Sequence, residues 1–596
     1  MIVLEFIQAV FGYGFILIFP GLLWTFIHKP FSDKLGYVER IVLSAGISIS
    51  LISLILFFSN FWLGIPIKSV SVILYSILIG LTPLIVIFVL SFRKSLPPVE
   101  EVRAQINVVK VWIIQLWASI KQIRTSKSLL LLIFILIFGA IVNLIPHFGY
   151  TLPLHTDEWH YMAYSNALID SGDVVINHPY TGEANVHLWE IGYLVLLSLF
   201  KINSGISWPF LFTTLPTVIF LFVILTAYAL GKRFGYGHHA AFIVSLIPST
   251  VRFLGPGFLV PISLGIFLVL LSLLLILRYE SKFRYLPLIL IISFTFLMHP
   301  ATGIYLYLIL LSILIIFGLG KKRVDLYILG VTLLSFFILG LFLPQSSFYN
   351  VNLSRITIGG RFFLPTFGFS DFIELMGYLP IILMAIGVGV LLRRKKTEGL
   401  GLTFSVSVLA LFLMIIFYVF PNFFNVQAIF DRAIILLTVL ISVVAGCGLY
   451  YVQKAKKTVF AITMVCMLLI LVPAHADEPY YHIISESEYD DFIWIRNNVH
   501  EPYDKAILDP WKAVAFPPVT GKEVYFSVPQ GPSSSVGTMT SNVNRFFAEG
   551  CTDTDFLLAN GIDIVYTQTQ CLNPDLIEVR DGIYILDYSL VSWASV

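Results

Sequence analysis

The segment His155-Thr156-Asp157-Glu158-Trp159-His160-Tyr161 gathers an adjacent acid pair and two histidines directly after an apolar run at 129–144. Carboxylates in such a place can take a proton from an acceptor or hold a cation, and a membrane span needs neither. In a helix starting near Asp157, His160, Tyr161 and Tyr164 share its face at offsets of three, four and seven residues. Glu158 then points about 100° away, so the two acids need not do the same job. One reading makes Asp157 a general base, with Glu158 and His160 in support. A second lets Asp157, His155 and His160 hold a divalent cation, Mg or Mn. The plain alternative is that Thr156 or Asp157 caps a juxtamembrane helix, an acid being favourable at its positive end. The presence of His155, His160, His178 and His187 in one loop weighs toward chemistry.

A second set of candidates is cationic. Arg252 stands in Thr-Val-Arg-Phe-Leu-Gly-Pro-Gly just past an apolar run, and His299 precedes Pro300 between two others. Arg355 and Arg361 flank Gly359-Gly360, and Arg432, after Asp431, opens a late span. The guanidinium fork suits phosphate, which makes Arg432 first, then Arg252, Arg355, Arg361 and His299, candidates for a lipid phosphate. Snorkelling, or pairing of Arg432 with Asp431, is the bland reading of each.

The elements that must position these groups follow from composition. The chain has 596 residues, 58% hydrophobic and 12% charged, with a net charge of +2. Soluble domains carry about 25% charged residues, so most of this chain belongs in lipid. The small net charge argues against nucleic acid as a partner. Apolar runs predict a polytopic α-helical membrane protein of about 14 spans. The first of these, near 4–27, reads as a retained span, since Glu5 stands where a signal peptide would be basic. Basic residues fall in alternate loops, at Lys29 to Arg40, Arg93 to Lys127, Lys232-Arg233, Arg278 to Arg284, Lys321 to Arg323, Arg393 to Lys396 and Lys454 to Lys457. The positive-inside rule makes that side cytoplasmic, which places the 148–207 loop, the 344–372 loop and the C-terminal region outside.

Three regions result. Residues 1–128 hold three spans and a cytoplasmic segment, 102–123, whose apolar positions recur at three- and four-residue steps as in an interfacial amphipathic helix. Residues 129–473 form the main membrane region with its long first external loop, 148–207. Within that loop, 188–200 is too short for an ordinary span and is expected along the outer interface. From 474 the charge density rises, and 474–596 reads as a small extracytoplasmic α/β domain. Strands are expected at 505–508, 523–528, 562–567 and 582–588, with helices over 488–498 and 553–560. Cys447 and Cys466 sit inside apolar runs as small hydrophobes. Cys551 and Cys571 are the two cysteines of the C-terminal region and read as a disulfide, since zinc would need further ligands nearby. Asn352-Leu-Ser354 is a sequon in an expected external loop.

The order of a span, an Asp-Glu pair in a long first external loop, many spans and an outer soluble domain resembles the GT-C superfamily of membrane glycosyltransferases. Thr156-Asp157-Glu158-Trp159-His160-Tyr161 is similar to the Asp-Glu loop of protein O-mannosyltransferases and lipid A aminoarabinose transferases. Arg432-Ala-Ile-Ile with Ala445-Gly446-Cys447-Gly448 is similar to the arginine-headed late span of oligosaccharyltransferase catalytic subunits. The Trp-Trp-Asp-Tyr-Gly signature of those subunits is absent. The resemblance covers about 129–520 and leaves the first three spans outside it. It implies inverting transfer of a sugar from a polyprenyl-phosphate donor to an extracytoplasmic acceptor, with Asp157 as base. Two other readings are a transporter or flippase of lipid-linked glycans and a non-catalytic GT-C-like scaffold. A transporter would need polar groups or broken helices at mid-membrane, whereas the runs here are nearly charge-free.

Overall fold

A computed structural model describes residues 2–27, 32–91, 126–184, 190–278, 282–319, 375–394, 396–415, 427–476, 480–528 and 533–589, with isolated positions between them. The 102–123 segment lies almost wholly outside the described residues, as do the sequon and His187. Contacts divide the chain into two compact units. The first holds the described residues of 1–151, 188–358 and 363–479, and the second those of 152–187 and 480–596. The 148–207 stretch is therefore shared between two units, its described residues 152–184 falling in the second.

In chain order the principal helices are α1 (Ile2–Leu17), α2 (Tyr37–Leu63), α3 (Ser69–Ser91), α4 (Lys127–Leu144), α5 (Thr156–Ser171), α6 (Ile191–Ser204), α7 (Trp208–Arg233) and α8 (Gly237–Val244). They continue as α9 (Pro261–Arg278), α10 (Tyr285–Met298), α11 (Pro300–Leu319), α12 (Tyr378–Arg394), α13 (Thr397–Met414), α14 (Gln427–Ala455) and α15 (Lys457–Ala476). All but α5 lie in the first unit. Among the described residues, eight helical stretches are long and apolar enough to cross a bilayer, the pattern of a multi-pass membrane protein, and four apolar helices are shorter. The expected count of about 14 is not reproduced. One reason is that apolarity alone does not distinguish a straight span from a bent one. The run at 238–251, read as a span, is the eight-residue α8 followed by irregular backbone from Ser245 to Val260.

That irregular backbone is buried, so its polar groups need partners inside the protein. Ser249 Oγ accepts from Gly257 N–H at 2.6 Å, and Ser263 Oγ donates to the Gly255 carbonyl at 2.5 Å. Gly255 has φ +151°, and a Cβ there would press on the Ser249 backbone. The stretch from Ile191, expected along the outer interface, forms α6, and Ile191 to Phe200 are buried on every side. A helix that is hydrophobic all round belongs in a core. Gly192 makes room for the Leu297–Met298 backbone of α10, and Phe200 meets Tyr13 of α1 at 5.6 Å, ring to ring.

Helix α14 is the most enclosed of the long helices together with α9. Its small residues explain how. Gly446 lies against the Ala240 backbone of α8, and Gly448 against the Leu383 carbonyl of α12, while Gly387 of α12 meets the Val444 carbonyl in return. Such exchanges of glycine for backbone contact are what pack helices where no hydrophobic force separates side chains from lipid.

The second unit has a five-stranded sheet of order β2-β1-β3-β5-β4. Its strands are β1 (Lys505–Ile507), β2 (Glu523–Val524), β3 (Ile564–Tyr566), β4 (Leu576–Arg580) and β5 (Ile583–Leu586). β2, β1 and β3 run parallel, and β5 and β4 extend the sheet antiparallel. Four helices accompany it: α16 (Glu486–Asn498), α17 (Phe516–Thr520), α18 (Ser533–Ala548) and α19 (Thr554–Ala559). α18 escaped the sequence reading because its serines, threonines and glycine mimic a loop, yet Val543 and Phe546 bury one face of it. β4 is an exposed edge whose Glu578 and Arg580 interrupt the apolar alternation. Cys551 and Cys571 are disulfide-bonded and join the end of α18 to the approach of β4, inside a core of Ile507, Phe546, Leu557 and Val565.

A side chain at Gly448 would overlap the Leu383 carbonyl, whereas Gly389 on α12 faces open space. Gly448→Val is expected to destabilise the helical unit by about 3 kcal/mol, and Gly389→Ala to leave it unchanged. Thermal unfolding of the full chain in detergent checks both.

Candidate functional site

The acid pair lies at the start of α5, and local geometry gives its two members different fates. His155, in extended backbone, is the N-cap, and its Nδ1 accepts from the Asp157 N–H at 3.0 Å. Three residues on, Glu158 turns back: its Oε2 accepts from Leu154 N–H at 2.7 Å and from His155 N–H at 3.1 Å. This is a capping box with histidine in the place usually held by serine or threonine. The cap is thus His155, not Thr156 or Asp157. Glu158 is wholly buried, its carboxylate spent on orphan amides. Asp157 is the member left at the surface, with a side chain 22% exposed and Oδ1 3.8 Å from His155 Nδ1. Because His155 Nδ1 is an acceptor, the neutral ring carries its proton on Nε2.

The rest of α5 is held by the second unit. Trp159, Met162 and Ala163 are buried along one face, and Leu168 is buried on another. Asn166 Nδ2 donates to the Pro518 carbonyl of α17 at 2.9 Å, and Tyr481 N–H to the Leu154 carbonyl at 3.1 Å. The loop after α5 returns through Tyr180, whose hydroxyl donates to the Val514 carbonyl at 2.8 Å and whose carbonyl accepts from Val524 N–H at 3.1 Å. Gly182, at φ +69°, allows the close pass against Glu523.

Behind Asp157 sits an aromatic and imidazole cluster. The rings of His160 and Tyr180 are 5.2 Å apart, and those of Tyr164 and His178 5.6 Å. Burial pushes His160 down to about 4, with the nearby Asp157 charge opposing the shift, and its Nε2 finds no hydrogen-bond partner among the described residues. His178 is lowered by burial too, against the pull of Glu183. Its Nδ1 accepts from Tyr180 N–H at 3.3 Å, so Nε2 bears the proton and donates to Tyr164 Oη at 3.0 Å. Both imidazoles are therefore neutral at physiological pH. In front of His155 the rings of Tyr481 (5.4 Å away) and then Trp511 (6.2 Å from Tyr481) form an exposed aromatic row.

The proposed cation ligands do not converge. His155 Nδ1 serves the cap, His160 is packed on Tyr180, and among the described residues no group of three or more His, Cys, Asp or Glu is placed to hold a metal. Asp157, His155 and His160 thus do not fit a Mg or Mn site, and no chemistry is assigned through one.

Arg252, His299 and Arg432 belong to the helical unit. Arg252 is half-buried in the middle of the irregular 245–260 stretch, its guanidinium carbon 5.0 Å from the Phe253 ring centre. Arg432 is half-buried near the start of α14. His299 caps the end of α10 and is buried, with Nδ1 2.5 Å from Thr302 Oγ1 and Nε2 3.4 Å from Glu190 Oε1. Arg355 and Arg361 lie outside the described residues. Glu190, Tyr481 and Trp511 were not singled out from sequence. Glu190 is a lone acid at the head of an apolar run, and nothing in that run reveals a histidine partner far along the chain.

No family model matches the sequence, and no curated protein matches it. By structure the chain is similar to the archaeal oligosaccharyltransferase AglB from Archaeoglobus fulgidus. With an inhibitory peptide and a dolichol-phosphate bound, that protein aligns over 74% of this chain and 69% of its own, at TM-score 0.50 and 12% identity. An Archaeoglobus fulgidus oligosaccharyltransferase in the apo form aligns over 73% of this chain and 69% of its own, at TM-score 0.49 and 12% identity. At this identity the likeness is one of fold.

Two consequences can be measured. Glu158→Ala leaves two amide donors without their acceptor and is expected to cost about 1–2 kcal/mol, read by thermal unfolding. An unfolded histidine titrates near 6.5 and buried His160 near 4, so the unfolded state binds the extra proton between these values. Stability therefore falls as pH drops from 6.5 toward 4. His160→Phe should flatten that part of a thermal-midpoint-against-pH curve.

Proposed function

We propose that this chain is a glycosyltransferase that moves a sugar from a polyprenyl-phosphate-linked donor to an extracytoplasmic acceptor by a single, inverting displacement. The observation that carries the reading is the division of labour at the head of α5. Glu158 is consumed by the cap, and Asp157 is left partly exposed on a rigid helical turn beside a neutral imidazole. A base needs that combination of fixed position and access.

The acceptor's O–H or N–H gives its proton to Asp157 as its heteroatom attacks the anomeric carbon. The bond from that carbon to the phosphate oxygen breaks, and the electron pair leaves with the phosphate. A lipid phosphate is already a good leaving group, so the remaining demand is to offset its charge. Arg432 is assigned that role first, with Arg252, Arg355 and Arg361 as further candidates. His299, already facing the Glu190 carboxylate, is the least suited of the set. His155 positions Asp157 through the cap, and His160 supports the turn from behind as a neutral ring.

The similarity in fold to AglB, seen with a dolichol-phosphate and an inhibitory peptide, supports a polyprenyl-phosphate donor and puts a peptide among the acceptors to try first. The exposed Tyr481–Trp511 row offers such an acceptor an aromatic surface.

Asp157→Asn is expected to lower transfer by about 10²- to 10⁴-fold, while the protein folds and still binds donor lipid. Transfer of labelled sugar from a polyprenyl-phosphate donor in membranes containing the variant measures it. Undiminished transfer would remove Asp157 from the mechanism. Glu158→Gln should lose stability more than turnover.

A further inference from the structure

At the end of the helical unit that carries the basic loops, a cavity of about 670 Å³ opens between the first turns of α2 and α4 and the last turns of α7 and α9. Its size is that of a small-ligand site, about 300–1,000 Å³. Its lining is charged. Among the described residues of the lining, four cations, Lys34, Lys232, Arg233 and Arg278, stand with two acids, Asp33 and Glu39, an excess of +2.

The acids do not offset that excess evenly. Glu39 Oε2 accepts from Gly36 N–H at 2.8 Å, and its Oε1 from Arg278 Nε at 3.1 Å, so this buried carboxylate and Arg278 neutralise one another. Lys34, Lys232 and Arg233 are the other cations of the lining, all exposed, and exposed Asp33 is the second acid among its described residues. The Lys232 ammonium lies 5.7 Å from the Tyr228 ring centre, which draws it toward the cavity wall. An anion with several acceptor oxygens matches such a lining.

What distinguishes a lipid from a soluble anion is the wall on the α4 side. Leu129 and Leu132 line the cavity, and Leu130, Leu131 and Phe134, 44%, 46% and 63% exposed, continue outward along a helix apolar enough to cross a bilayer. Charge at the mouth beside an apolar strip is the complement of a phosphate with acyl or isoprenoid chains attached. We infer that this cavity holds the headgroup phosphate of an anionic membrane lipid whose chains run along α4. The lipid would bridge α2, from the N-terminal part of the chain that the GT-C resemblance leaves out, to α4, α7 and α9. The inference is independent of the transfer reaction and of Asp157.

The test uses the full chain in detergent, exposed in separate arms to dioleoylphosphatidylglycerol, dioleoylphosphatidylcholine and inorganic phosphate, with retention read by native mass spectrometry. Phosphatidylglycerol should be retained over phosphatidylcholine and resist displacement by phosphate. The double variant Lys232→Gln with Arg233→Gln should weaken phosphatidylglycerol binding about 30-fold and leave phosphatidylcholine unchanged. Should the double variant fail to fold, Lys34→Gln, outside any helix, carries the same expectation at about fivefold. Equal retention of the two lipids, or retention of phosphatidylglycerol that ignores these substitutions, overturns the inference. Inorganic phosphate binding with the same sensitivity, without any lipid preference, reassigns the cavity to a soluble anion and overturns the lipid.

Discussion

The buried carboxylate of Glu158, accepting from the N–H groups of Leu154 and His155, sets the geometry of the candidate site. It stops the chain at the head of α5 and fixes the turn on which Asp157 stands. A helix terminus leaves amides without partners, and a buried terminus must supply them. Here the second acid of the pair supplies them and cannot at the same time be a solvent-facing base. The His155 ring completes the cap from the other side, which leaves its Nδ1 lone pair engaged. Two residues that look equivalent in the sequence are thereby separated into one structural group and one accessible group.

A similar constraint governs the helical unit. Backbone that leaves helical form inside an apolar environment must find its hydrogen bonds within the protein. The stretch from Ser245 to Val260 does so through serine side chains and glycines that let strands of backbone approach one another. Arg252 stands in the middle of this stretch, between the bridged residues Thr250 and Leu254. The glycines of α12 and α14 act by the same economy of space, admitting a neighbouring carbonyl where a side chain would exclude it.

The partition of the chain follows from where contacts are made rather than from sequence order. α5 and the loop through Tyr180 form hydrogen bonds to Pro518, Val514 and Val524, so a segment that interrupts the helical unit in sequence is part of the fold of the C-terminal domain.

Sequence by itself settled the apolar class of the chain, the main long helices, four of the five strands of the α/β domain, and the concentration of acids and imidazoles near residue 157. These follow from local quantities: hydropathy over a turn or a span, alternation along a strand, and residue type. How deeply Glu158 is buried, that His178 and Tyr164 are hydrogen-bonded, that His299 meets Glu190, and that α6 is enclosed were decided by tertiary structure. Each depends on a partner supplied from elsewhere in the chain or on the direction a side chain takes once its helix is seated. A carboxylate's role is set by what donates to it, and a linear sequence does not record donors that only folding brings within 3 Å.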